Sequence, residues 1–430
     1  MKFYFDENKT NEFNVNNYIL SGIIKKSSDM NVSYTIYWDW PYYGEADDDI
    51  KFAGTDMNIS IKIVGAQSNS SLYVGLYDYI SLQINNGVDN LINFGEASSK
   101  SNGEGINIVN GTENNTYPIY YYRGNVKNNN VIYAGYCWKI VRTTETGGVK
   151  IVYNGSPVNG KCSGDEPYIN SSVAFNSSYS SLNSSGYMYG LNSYSGSQIN
   201  EYKTHLSDMS IIDSSNTNFE NIGNKKFYFA GRHTQNAKSS TIKVEIDSWF
   251  QENIEGTDYE NLLEDTVWCN DRSISSVYSL DKYSTNDDEF FYAGYDRLFY
   301  ENGNRKPSLV CSRNIDKFTV NSSNGNGDLD YPIGMLTADE AVLTGGLAYN
   351  INSVSSFYLT DNNMMWLLTP FGFKSYYNRS FELYTGSLYN FFHAVSTTNA
   401  VRPAVSLNSD VKITGTGDGS VDNPLRVVAQ

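Results

Sequence analysis

Two apolar runs near the C-terminus, Met364-Met365-Trp366-Leu367-Leu368 and Ala400-Val401-Arg402-Pro403-Ala404-Val405, bracket a segment that suits neither a core strand nor an ordinary loop. The runs read as buried strands. Between them lie Phe373, Tyr376, Tyr377, Asn378, Ser380, Phe381, Tyr384, Tyr389, Asn390, Phe391, Phe392 and His393, with few charges. A core strand would use Val, Ile and Leu here, and a solvated loop would carry Lys and Glu. Tyr and Phe instead offer large contact areas with few rotors to freeze, while Asn and Ser adapt their hydrogen bonds, as in an antibody combining site. The expectation is an aromatic hairpin held by two buried strands, with these twelve residues facing a ligand.

The rest of the chain must supply the scaffold. At 430 residues it exceeds one ordinary core, and two or three domains are expected. Its polarity comes from Asn, Ser, Tyr and Gly more than from charge, since only 18% of residues are charged. The net charge of -16 argues against nucleic acid or an anionic membrane as partner, because both select basic patches. No run approaches the ~18 apolar residues of a membrane helix, and Met1 to Met30 has no apolar signal core. Any export signal or membrane anchor is therefore expected in a part outside this sequence.

Four cysteines, Cys137, Cys162, Cys269 and Cys311, show no CxxC spacing, so zinc is not expected. Two disulfides fit an exported chain. Three connectivities exist, and pairing in order, Cys137 with Cys162 and Cys269 with Cys311, is the one expected.

Taken in order, residues 1–70 alternate apolar and polar in runs such as Ser33–Trp38 and Asn58–Val64, the mark of strands with one buried face. Between these runs Glu45, Asp47, Asp48 and Asp49 form an acidic loop, which is either a solvated turn or a calcium site. Residues 71–116, rich in Ser, Asn and Gly, read as a linker. Residues 117–430 form a second domain. It opens on three strands with turns at Asn128-Asn129-Asn130 and Thr146-Gly147-Gly148, and Cys137-Trp138 lies in the middle strand. Asp165 to Asp213 reads as a long irregular loop. Two short helices are expected. In Ser240–Ile254 the residues Ile242, Ile246, Trp249, Phe250 and Ile254 share a face, with Lys243, Glu245, Asp247 and Glu252 turned outward. The other starts at a Thr337/Glu340 capping box and stops at Gly345-Gly346. The fold class is α+β, with a small all-β domain in front.

Two resemblances sharpen this. The segment WDWPYY, followed by acidic residues and ISIKIVGAQ, resembles the closing part of the TasA/camelysin-like surface proteins, which are exported β-sandwich subunits. YPIYYYRGNVKNNNVIYAGYCWKIV, LEDTVWCNDRSI, YPIGMLTADEAVLTGG, MMWLLTP, AVRPAVSL and GDGSVDNPLRV resemble a family of bacterial surface proteins. The WLLTP-to-VRPA section resembles the end of C-type-lectin-like domains of the formylglycine-generating-enzyme type. That resemblance implies a Trp-bearing strand before a ligand-facing hairpin and a closing Val-Arg strand. It also implies kinship with the variable receptors of diversity-generating retroelements. Their mutated Asn-type codons yield Tyr, Ser, Asn, Phe and His but not Lys or Glu, so Lys374 and Glu382 would be fixed positions.

Catalysis is not expected. A formylglycine-generating activity would need reactive cysteines in the C-terminal part, and none follows Cys311. Only His205, His233 and His393 offer an imidazole, and no GxSxG, HExxH or phosphate loop is present. The reading is an extracellular, non-catalytic receptor or adhesin of the bacterial cell surface. It would need no cofactor, save calcium if the acidic loop holds one, and its partner would be a protein or glycan on another cell or a phage. The alternatives are a structural surface or matrix subunit and a glycan-acting enzyme.

Overall fold

The computed structural model describes residues 73–83, 92–109, 117–177, 186–189, 236, 238–273, 275–276, 289–300, 305–348, 357–360, 363–374, 377–384, 387–389 and 395–429, with short strands at 2–4, 12–13, 37–39, 221–222 and 225–226. The chain is mixed α and β and mostly strand. The strands that matter here are β1 (Gly105–Val109), β2 (Ile119–Arg123), β3 (Asn130–Tyr133), β4 (Tyr136–Thr143), β5 (Val149–Tyr153), β6 (Asn170–Ala174) and β7 (Glu289–Phe291). They continue with β8 (Ile333–Met335), β9 (Met365–Lys374), β10 (Tyr377–Tyr384), β11 (Ser387–Tyr389), β12 (Thr398–Val401), β13 (Pro403–Leu407) and β14 (Leu425–Arg426). Four α-helices stand among the described residues, not the two expected: α1 (Leu76–Ser81), α2 (Thr241–Asn253), α3 (Ala293–Leu298) and α4 (Ala338–Thr344). α1 and α3 have six residues each, too short to show helical periodicity in sequence.

Two sheets carry the core. The first runs β8-β13-β5-β4-β2-β1, with β3 paired to β4 and β14 parallel to β3. The second runs β6-β12-β9-β10-β11, with β7 on β9. The chain leaves the second sheet for the first between Val401 and Pro403. Arg402, 3% exposed, sits at that step. Its guanidinium donates to the Tyr153 carbonyl at 3.0 Å, the Leu359 carbonyl at 3.3 Å and Asn154 Oδ1 at 2.9 Å. Five donors in a planar fork let one side chain tie three segments. Trp138, Trp268 and Trp366 are fully buried, and the indoles of Trp138 and Trp366 donate to the Tyr133 and Val173 carbonyls.

The described residues of the expected linker, 73–83 and 92–109, are part of this body. Tyr73–Gly75 pairs with Lys412–Thr414, and β1 pairs along its length with β2. Its Asn and Ser residues close turns: the Asn102 amide donates to the carbonyls of Asn93, Glu96 and Ala97. The expected irregular loop after Asp165 contributes β6, an edge strand. The three opening strands are four, because Ala134-Gly135 makes an extra hairpin with φ of 50° and 79°. Cys137 and Trp138 are buried as expected, and both disulfides pair in the expected order, Cys137–Cys162 and Cys269–Cys311. The sandwich expected over residues 1–70 shows one three-stranded sheet of 2–4, 12–13 and 37–39. The acidic loop at 45–49 lies outside the described residues.

α2 and α4 follow the sequence closely at their ends. Ser240 caps α2 by accepting from the Lys243 amide, and Thr337 and Glu340 form the reciprocal box of α4. Lys243 departs from expectation: it is buried, not outward, with its ammonium 2.5 Å from Asp247 and 2.9 Å from Asp330. Two carboxylates let a charged side chain occupy what helical spacing assigns to solvent.

Candidate functional site

The aromatic hairpin rises from a locked base. β9 and β10 pair as Met365↔Leu383, Trp366↔Glu382 and Pro370↔Ser380, and beyond a bulge as Gly372↔Arg379, Phe373↔Asn378 and Lys374↔Tyr377. β7 extends the same end, with Phe290 opposite Phe373 and Glu289 opposite Lys374. β11 pairs with β10 through Glu382↔Tyr389 and Tyr384↔Ser387. Phe373, Tyr377, Asn378, Tyr384 and Tyr389 are thus placed by their backbones on three adjoining strands. Tyr376, Asn390, Phe391, Phe392 and His393 lie outside the described residues, as do His205 and His233.

Two of the twelve expected contact residues belong to the base instead. Ser380 is 1% exposed and its hydroxyl sits 3.0 Å and 2.9 Å from the Leu367 and Thr369 carbonyls. Phe381 is fully buried, edge-on to Phe371 with ring centroids 5.1 Å apart. Ser380, Phe381, Glu382 and Leu383 are all buried, so both faces of β10 are covered here. α3 covers one of them at close range: a Cβ on Gly294 would stand 2.8 Å from Thr369 Cγ2 and 3.3 Å from the Phe381 ring. Phe291, stacked on Tyr295 at 4.0 Å, packs edge-on to Phe371. Ser380 and Phe381 thus form part of the mount, and Phe373, Tyr377 and Asn378 pair beyond the bulge.

The second candidate is a charged cavity that no sequence motif marks. Arg142 on β4, Lys150 on β5, Asp339 and Glu340 on α4, Arg297 on α3 and Asp271 line it, with Cys269 and the 308–310 segment as one wall. Glu340 Oε1 lies 2.8 Å from both Arg142 Nε and Lys150 Nζ, and its Oε2 accepts from the Thr337 amide at 3.1 Å. Arg297 holds Asp339 by two parallel bonds of 3.0 and 2.9 Å, and Asp271 by a third at 3.0 Å. The Lys150 ammonium also lies 4.1 Å from the centroid of the Trp268 ring.

The electrostatics follow from these contacts. Burial would raise the Glu340 carboxyl, but Lys150 and Arg142 outweigh it and hold it at about 2. Lys150 moves the other way from a stabilised charge. Burial pulls its ammonium down, and Arg142, sharing the one carboxylate, adds repulsion that Glu340 does not fully offset. For Arg297, burial acts downward and Asp339 and Asp271 overcome it, keeping it firmly protonated. A carboxylate held this low does not donate a proton near neutral pH. The cavity measures about 30 Å³, space for one or two waters. Its chemistry is mutual ion pairing that clamps α3 and α4 to β4 and β5.

Sequence signalled only one member of this network. The capping box singled out Glu340, but its partners lie 198 positions away at Arg142 and 190 away at Lys150 (340 minus 150). Among the described residues no cluster of His, Cys, Asp and Glu could hold a metal ion. No protein-family model, curated protein or solved structure gives a significant match to this chain.

Proposed function

We propose that the protein is an exported, non-catalytic binding protein of the bacterial cell surface, gripping a protein or glycan ligand through the outer part of the β9–β10–β11 hairpin. The observation that carries this reading is the division of the aromatic segment. Phe371, Ser380 and Phe381 are buried in a rigid mount, while Phe373, Tyr377 and Asn378 pair beyond the bulge at one end of β10, and Tyr384 and Tyr389 lie on β10 and β11 at its other end. A site whose supporting shell is locked binds without a large ordering cost. The two disulfides support maturation in an oxidising compartment. No helix among the described residues is long and apolar enough to cross a membrane.

The C-type-lectin-like reading of the fold belongs to the same proposal. What supports it is the order of parts: a strand bearing Trp366, a hairpin, and then Val401-Arg402 leading into the closing strand β13. Retroelement diversification would make the outer positions variable and leave Lys374 and Glu382 fixed. Glu382 is fully buried and accepts from the Asn399 amide at 2.9 Å, a reason for constancy that is independent of any codon argument.

The test replaces Tyr376, Tyr384, Tyr389 and Phe391 together by Ala and reads binding on a glycan array and to intact bacterial cells and phage. Loss of capture with a melting temperature within about 2 °C of wild type supports the reading. A large stability loss would show those rings to be core. A neighbouring reverse-transcriptase gene beside a near-copy of the Phe371–Val401 coding segment would establish diversification.

A further inference from the structure

We propose that Lys127 and Lys139, on either side of the Asn130 carboxamide, form a binding site for a small oxyanion: inorganic sulfate or phosphate, or the sulfate or carboxylate of an acidic sugar. The site belongs to the first sheet and does not rest on the hairpin reading.

The starting observation is a cation without a counter-charge. Arg142, Lys150, Lys243, Arg272 and Arg297 each lie within 3.0 Å of a carboxylate. Lys139, half-buried in the middle of β4, has no carboxylate partner among the described residues. The chain carries 47 acidic residues against 31 basic ones, so the lack of one here is not a matter of supply.

The one partner of the Lys139 ammonium is neutral, Asn130 Oδ1 at 2.7 Å. That carboxamide is fixed in orientation. Its Nδ2 donates to the Gly419 carbonyl at 2.8 Å and to the Lys127 carbonyl at 3.2 Å, which turns the oxygen toward Lys139. Asn130 is fully buried and cannot swing away. An ammonium has three N–H donors. Asn130 takes one, and the others have no acceptor among the described residues.

Two more cations surround this amine. Lys127 is exposed, and its own ammonium reaches only another neutral oxygen, Asn125 Oδ1 at 2.5 Å. Arg402 stands on the inner side. The register Asn130↔Lys139, Lys139↔Val152 and Val152↔Ala404 puts these four residues on one face of the sheet, with Arg402 two positions before Ala404. Burial, then Arg402, then Lys127 pull the Lys139 ammonium down to about 8. An anion seated between the two lysines relieves that repulsion and accepts the unused N–H groups. A compact ammonium suits a sulfate, phosphate or carboxylate oxygen as a point charge.

The experiment measures acetylation rates of Lys127, Lys139 and the exposed Lys412 on the native chain. The reagent is N-hydroxysuccinimidyl acetate, read by peptide mass spectrometry. Buffers of equal ionic strength contain sodium chloride, sulfate or phosphate. Further arms add glucuronate, N-acetylglucosamine 6-sulfate or neutral N-acetylglucosamine. Lys139 and Lys127 should react about fivefold more slowly with an oxyanion present than in chloride, with Lys412 unchanged. Protection by the inorganic ions as well as the acidic sugars assigns the site to a free oxyanion, and protection by the acidic sugars alone assigns it to a saccharide. Equal rates in every buffer, equal protection by the neutral sugar, or a Lys139 that is not acetylated even in chloride overturns the proposal. Asn130→Asp gives Lys139 an internal carboxylate and should abolish the protection. Lys139→Met should abolish it at Lys127. A folded variant that keeps wild-type protection refutes the site, and if neither variant folds the native rates decide alone.

Discussion

At the residue scale, Glu340 does three jobs with one carboxylate: it completes the α4 cap and neutralises Arg142 and Lys150. Replacing Glu340 by Gln keeps the shape and leaves two buried cations short of a counter-charge. A loss of about 3–5 kcal/mol in chemical denaturation is expected, the range for breaking a buried pair from one side. The same group sets an acid limit. Its folded-state value of about 2 lies below the ordinary 4.5, so its contribution is complete above about pH 4.5 and drains away as pH falls toward 2. The shift corresponds to roughly 3 kcal/mol. Urea midpoints between pH 5 and 2 should therefore fall more steeply for wild type than for Glu340→Gln, and parallel curves would refute the assignment. Phe381 gives the contrasting case: Phe381→Ala should cost about 3–5 kcal/mol by opening a cavity beneath the hairpin.

At the element scale, one tripeptide shows how context sets conformation. Tyr133-Ala134-Gly135 turns the β3–β4 hairpin with two left-handed residues, whereas Tyr292-Ala293-Gly294 starts helix α3. In the first, the tight pairing Tyr133↔Tyr136 forces a two-residue loop, and in the second the small Gly294 lets the helix close on Thr369 and Phe381. The two sites predict opposite origins of damage. Gly135→Ala meets no atom within 4 Å and should cost only about 1 kcal/mol of backbone strain. Gly294→Ala should cost more, about 1–3 kcal/mol, because the mount must shift to admit a methyl group. Thermal denaturation of the two variants separates them.

At the scale of the whole molecule, the two main sheets are joined by consecutive strands. β12 and β13 are separated by Arg402 alone, so the hairpin's mount and the first sheet are mechanically one body. Arg402→Met should loosen both, with a cost of about 3 kcal/mol or more from the orphaned Tyr153 and Leu359 carbonyls and lost packing. It should also weaken ligand capture although the residue is only 3% exposed. Unchanged capture on the glycan array and on cells would show that the hairpin holds its shape without that tie.

The sequence alone determined what is local: the capped ends of α2 and α4, the burial of Cys137-Trp138 in a strand, and the first bracketing strand β9, whereas the second run, Ala400–Val405, is split at Arg402 into β12 and β13 of different sheets. These depend on neighbours within a few positions, where side-chain period and capping geometry act. Tertiary structure decided the rest. It made body out of a Ser/Asn-rich stretch that resembles a linker, because a strand edge was there to receive it. It turned Lys243 inward, drew Arg142, Lys150 and Glu340 together across about two hundred positions, and buried Ser380 and Phe381 beneath the hairpin. Composition records what a residue can do, while burial and pairing across distant strands select which of those things it does.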